Sequence, residues 1–175
     1  MPFTPFHFGP GAAIHSAAPK RISFISFCVS NVLIDIEPLY YMVNDDPPLH
    51  RFFHTGLGAT LVAVATIAVF LAAKSFARRF WLPNFLDWQK LSLYPVAVGA
   101  FIGTYSHIGL DSLMHADIRP FAPFSESNPL LGVISIPALE AACVVAGLIG
   151  GVVLLLRYVH ARRLLHGRQN QGGIR

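Results

Sequence analysis

The sequence predicts an all-helical, polytopic membrane fold: three long transmembrane helices behind a short N-terminal helical hairpin. Composition, uninterrupted apolar runs and the placement of charge predict it. Over 175 residues, 54% are hydrophobic and only 13% charged, too little polar surface to clothe a soluble domain of this size. Thr55 to Ala73 is a run of nineteen residues without a charge, enough for a span of about 30 Å. Basic residues punctuate the ends of such runs, which is how cytoplasmic ends of membrane helices are marked.

Each element follows from its local signals. Pro10 can open a helix that passes Ala12 and Ala13 and stops at Pro19, before Lys20 and Arg21; proline is accepted in a first turn and rejected further in. Ile22 to Ile34 is uncharged but short, so it pairs with the preceding stretch as a hairpin rather than spanning alone. Thr55 to Ala73, closed by Lys74, Arg78 and Arg79, is the clearest span. Leu91 to Leu110, interrupted only by His107, is the second, and Pro137 to Tyr158, apolar apart from Glu140 and the Arg157 at its end, is the third. Residues 1–168 read as one helical membrane domain and 169–175 as a flexible basic tail. Met1 to Gly11 lacks the charged start and apolar core of a signal peptide, so the mature chain is expected to begin here.

Charge orients these pieces. Lys20, Arg21, Lys74, Arg78, Arg79, Lys90, Arg157, Arg162, Arg163 and Arg168 are expected on the cytoplasmic side of a cell (inner) membrane. The modest basic excess fits this orientation and not a nucleic-acid partner. Cys28 and Cys143 lie far apart in apolar runs and read as packing residues. Gly99 with Gly103, and Gly147 with Gly151, give the small-residue spacing that lets helix backbones approach, within the chain or between copies in an oligomer.

Alternating spans put the segments 35–54 and 111–128 on one non-cytoplasmic face, and these segments carry the chemistry. His50 and His54 are four apart, so on a helix they share a face. His107, Asp111 and His115 extend that spacing over two turns at the outer end of a span. Asn31 and Asp35 lie one turn apart on the short helix, and Glu37 follows. Ionisable groups at membrane depth are costly unless they pair, line a cavity or bind an ion, so Asp35, His50, His54, His107 and Asp111 are expected to share one site. Imidazole mixed with carboxylate suits zinc, manganese or iron rather than calcium; the expected cofactor is one or two divalent ions, zinc first. Spacing leaves His7 open between a solvated side chain and a member of the site, because Lys20 lies thirteen positions after it and Asp35 thirteen positions after Ile22. Two equal arms of about 20 Å return Asp35 beside His7. His15, His160 and His166 are expected to be solvated. Arg51 and Arg119 are the nearest cations, and guanidinium forks suit a phosphate-bearing anionic substrate.

Taken together, Thr4-Pro-Phe-His7, Asp35-Ile-Glu37-Pro38, His50-Arg51-x-x-His54 and Ser106-His107-x-x-x-Asp111 resemble the YdjM-type family of predicted membrane-bound metal-dependent hydrolases. The resemblance covers the first two-thirds of the chain. The family pattern is TH, PDxD, HRxxTH and SHxxxD in that order; here Pro5-Phe6 separates Thr4 from His7, Glu37 stands for the second aspartate, and Phe53 precedes His54. The resemblance implies metal ligands at His7, Asp35, His50, His54, His107 and Asp111. An analogy of style with zinc-dependent phospholipase C adds Glu37 as general base, Arg51 as stabiliser of phosphoryl charge, and His115 as acid or outer partner. Three functions are open from sequence: a hydrolase of a phosphoester, including a lipid one; a metal transporter; or a structural or regulatory subunit stapled by its metal. A transporter needs ionisable groups continuing to the other face, and Thr55 to Ala73 has none.

Overall fold

The computed structural model describes the backbone of residues 4–172 and the side chains of residues 5–164. The described residues are helical, with turns and loops and no strand. A 3-10 turn at Thr4–His7 leads into α1 (Phe8–Ala17), and a tight turn leads back through α2 (Phe24–Ile34). Then follow α3 (Ile36–Val43), a 3-10 turn at Phe52–His54, α4 (Gly56–Ala77), a 3-10 stretch at Phe85–Lys90, α5 (Leu93–Met114) and α6 (Ile136–Gly172).

The expected hairpin forms. Ser23 caps α2, its hydroxyl accepting from Ser26 N–H at 3.2 Å, which satisfies a donor the helix leaves open. The turn is closed by His15, whose Nδ1 donates to Ile22 O at 2.7 Å while its ring lies 5.9 Å from that of Phe24. His15 is therefore a half-buried brace, not the solvated side chain expected, because the carbonyl it reaches lies on the other arm.

α2 and α5 run parallel in close contact. Ser23 N–H donates to Pro95 O at 2.9 Å, and further along Asn31 meets His107. The interface repeats every three or four residues on both helices: Ser23, Ser26, Phe27, Ser30, Asn31 and Ile34 against Val96, Gly99, Ala100, Gly103, Thr104 and His107, all buried. That period is one face of a helix. A Cβ on Gly99 would collide with Ser23 O, and one on Gly103 with Ser30 Oγ and Phe27 O. The Gly99/Gly103 pair is thus consumed inside the chain and not available to an oligomer. On α6 the small pair is Gly147 with Gly150, which meet Gly9 and Ala12 of α1; Gly151 faces open space. The expected Gly147/Gly151 pairing is corrected by one residue, because the contacting face follows the crossing of α1.

α4 runs antiparallel to α5. Thr60 Oγ1 and Tyr105 Oη are 2.7 Å apart near one end, and Lys74 Nζ donates to Leu91 O at 2.7 Å at the other. α6 runs parallel to α1. These directions gather the basic residues of 20–21, 74–79, 90 and 157–163 at one end of the bundle.

Two helices, Gly56–Ala77 and Ile136–Leu164, are long and apolar enough to cross a membrane. The third expected span, Leu91 to Leu110, corresponds to α5, which has the length, 22 residues, but is not in that apolar class. Its inward stripe carries Gly99, Gly103, Thr104, His107, Asp111 and Ser112, so it is the polar-lined centre of the bundle. The buried set holds more polar than apolar side chains, while Leu148, Ile149, Val152, Leu155 and Leu156 of α6 stand exposed. A contiguous apolar exterior of this kind marks a surface that meets lipid or another apolar partner.

Two local expectations are corrected. His50 is not helical: it lies in an irregular segment before a three-residue 3-10 turn, so its proximity to His54 comes from chain reversal and not from a shared helix face. His115 ends α5 with extended backbone (φ −109°, ψ 120°) and leaves the His107–Asp111 stripe. The tail expected at 169–175, with His166 and Arg168, lies outside the residues whose side chains are described; the backbone is helical to Gly172. His160 is exposed, as expected.

Candidate metal centre

The centre is built where the two arms of the hairpin return to the C-terminal end of α5. His107 and Asp111 sit one turn apart on the buried stripe of α5. Asp35 occupies the junction of α2 and α3. His54 arrives from the 3-10 turn that rests on the start of α4, where Thr55 caps the helix by accepting from Gly58 N–H at 3.0 Å. Gly58 is needed there, since a Cβ would overlap the backbone of Phe52 and Phe53. His7, ending the first turn, stacks on His107 with ring centroids 4.3 Å apart.

His107 Nε2 lies 3.1 Å from Asp35 Oδ1 and 3.1 Å from Asp111 Oδ2. His54 Nε2 is 3.8 Å and 3.7 Å from the same two oxygens. His7 Nε2 approaches Asp111 Oδ1 at 3.0 Å. Nevertheless His107 Nε2, His54 Nε2 and Asp111 Oδ1 have no hydrogen-bond partner, although all are buried. Burying such atoms without partners costs about 1–3 kcal/mol each, and clustering them compounds the cost unless a cation lies among them.

The tautomers point the same way. Asn31 Nδ2 donates to Phe27 O at 2.8 Å, which leaves its Oδ1, an acceptor, facing His107 Nδ1 at 3.0 Å. His107 must therefore donate from Nδ1, which turns Nε2 towards the two carboxylates. An outer hydrogen bond that fixes a ring so its other nitrogen faces inward is the usual support of a metal ligand. His50 has the same arrangement: Nδ1 lies 3.0 Å from both oxygens of Asp117, and Asp117 Oδ2 accepts from Leu49 and His50 N–H at 3.1 Å each.

Four residues, Asp35, His54, His107 and Asp111, offer ligand atoms that lie within 4.8 Å of one another and could hold a metal ion. His50, Asp111 and His115 make a second such group. All six ligands expected from sequence thus converge on one neighbourhood, His7 included. Burial, reinforced by neighbouring His54, pushes the His50 ring below its ordinary value, and burial does the same for His115; both rings are thereby kept neutral, as metal ligation requires. Burial works against ionisation of Asp117, but the His50 amide and ring outweigh it and hold the carboxyl below its usual range.

The three residues expected to be catalytic occupy different positions. Glu37 Oε2 accepts from Arg51 N–H at 3.2 Å and Phe53 N–H at 2.8 Å, and lies 3.7 Å from His54 Nδ1. It faces the edge of His54 opposite Nε2 and fixes the segment that carries that ring. The Arg51 guanidinium turns to Asp46 at 2.9 Å and lies over the Tyr41 ring, while its backbone borders the centre. His115 packs against His50, ring centroids 4.5 Å apart, as a ligand-group member. Asn31 and Asp117, to which the sequence assigns no role, are the residues that orient the His107 and His50 rings. For Asn31 a signal existed in its one-turn spacing from Asp35; for Asp117, inside an irregular loop, there was none.

A cavity of about 520 Å³ adjoins the centre, lined among others by His50, Asp117, Arg51 and Arg119. Arg119 donates to Ala116 O and Ile118 O and lies 3.8 Å from the exposed Glu126. No protein-family model, curated protein or solved structure matches the chain.

Proposed function

We propose that this chain is a multi-pass inner-membrane metal-dependent hydrolase of the YdjM type, acting on a phosphoester at the non-cytoplasmic face. The observation that carries the reading is the convergence of His54 Nε2 and His107 Nε2, both buried, on the carboxylates of Asp35 and Asp111, a group that could hold a metal ion. Zinc suits the donor set, with manganese or iron the nearest competitors. A bound divalent ion would supply a water acidic enough to ionise near neutrality and would polarise a phosphoryl oxygen. The chain's own residues do the rest. Asn31 and Asp117 orient His107 and His50, Glu37 holds the His54 turn as a positioning residue, and Arg51 and Arg119 border the cavity that an anionic substrate would enter. Phe52, Phe121 and Phe124, exposed nearby, suit a lipid-borne substrate.

A second reading, a metal that only staples the hairpin to α5, is favoured by the four-ligand set at Asp35, His54, His107 and Asp111, since closed four-coordinate sites are the structural kind. One experiment separates them. Detergent-purified protein is analysed for metal and assayed on phosphomonoesters, phosphodiesters and phospholipids, beside Asp111→Ala. The proposal expects bound metal and an activity that Asp111→Ala abolishes. Metal without activity on any substrate favours the staple; folded protein without metal defeats both.

A further inference from the structure

We propose that His50, His115 and Asp111 form a second divalent-cation site, so that Asp111 is a carboxylate shared between two ions. The inference rests on reading the Asp35–His54–His107–Asp111 group as a cation site and extends it.

Three observations carry it. First, His50, His115 and Asp111 offer ligand atoms all within 4.8 Å of one another. Second, His50 is built as a ligand: Asp117 can only accept, so His50 Nδ1 carries the proton and Nε2 the free lone pair. Asp117 is itself pinned by the Leu49 and His50 amides, so the acceptor that orients the ring is held in place. Third, Asp111, only 4% exposed, has its two oxygens facing different ways. Oδ2 faces His54 and His107. Oδ1 pairs with His7 Nε2 at 3.0 Å without a well-formed hydrogen bond, and a carboxylate oxygen keeps a further lone pair for a cation.

The departure of His115 from α5 acquires a reason in this arrangement. On a continued helix its ring would remain on the His107–Asp111 stripe; the extended residue instead lays it against His50. Two imidazoles and one carboxylate leave further coordination positions open, the pattern of catalytic zinc and of non-haem iron or manganese rather than of a closed structural ion. His50 also lines the cavity of about 520 Å³, which makes this the ion nearer to substrate space. Ions sharing a carboxylate lie about 3.5–4 Å apart, a separation that lets both touch one phosphoryl group.

The test is metal stoichiometry on the full chain in detergent, loaded with zinc and desalted, together with the electron paramagnetic resonance of manganese-loaded wild type. The expected result is two zinc ions per wild-type chain, one in His115→Ala, and an exchange-coupled manganese signal. Helical circular dichroism and a single elution peak verify folding, and His115→Gln substitutes if the alanine variant misfolds. Two ions retained in folded His115→Ala, or one ion and an isolated-manganese signal in wild type, overturns the second site while leaving the first. No ion in folded wild type overturns the function proposed above as well.

Discussion

Asn31→Ala isolates the support of a ligand from the ligand itself. Asn31 is fully buried and makes one contact to the centre, the 3.0 Å bond to His107 Nδ1. Removing the acceptor leaves an N–H buried without a partner and frees the ring to rotate or change tautomer. Loss of an outer-shell partner of this type weakens metal binding about 10–100-fold, equivalent to about 1.4–2.7 kcal/mol. The orphaned donor costs the metal-free fold a further loss of about 1–3 kcal/mol. Asn31→Asp supplies an acceptor at the same position and should recover most of the affinity, although it gives up the local bond to Phe27 O. The assay is competition for zinc against a chromophoric chelator, with thermal melting in chelator for the metal-free fold. A folded Asn31→Ala that binds zinc within twofold of wild type would refute the reasoning that Asn31 fixes a metal-ligating tautomer.

Other consequences follow from the same geometry. Chelator should lower the melting temperature and zinc restore it, since a ligand present at 1,000 times its dissociation constant stabilises by about 4 kcal/mol; an identical melt in both conditions contradicts a cation among the buried atoms. Gly99→Ala should destabilise by about 1–3 kcal/mol, because its Cβ meets Ser23 backbone. Gly151→Ala, in open space, should be neutral or gain up to about 1 kcal/mol of helix propensity, and equal melts for the two variants would contradict the α2–α5 approach. Asp117→Asn should weaken zinc binding about 10–100-fold, measured as loss of the second equivalent in titration. Arg119→Ala should raise KM for a phosphoester while leaving zinc content unchanged, and an altered zinc content would move Arg119 from the substrate cavity to the metal centre.

The site was legible in sequence to the extent that its residues obey local periodicity. His107 and Asp111 share a stripe because four residues make about one helical turn, and the hairpin brings His7 against His107 and Asp111 while Asp35 reaches the same His107 from the other arm. Periodicity also marked Gly99 and Gly103 as a close-approach pair, without saying which helix would approach. Where the chain leaves regular structure the signal vanished. The spacing of His50 and His54 suggested a helix, whereas the rings meet through an irregular turn. His115 was read as continuing a stripe that it leaves.

Composition and charge alone determined that the chain is apolar, helical and segregated by charge, because those properties sum over many residues and survive local error. They also determined the donor types, imidazole and carboxylate, that a bound ion would meet. Only the tertiary structure decided which nitrogen of His107 and His50 faces inward, since that depends on Asn31 and Asp117 held on other segments. It also decided that α5 is the polar-lined centre and not a third apolar span. A helix's environment is set by all the neighbours on its faces, and no single stretch of sequence contains them.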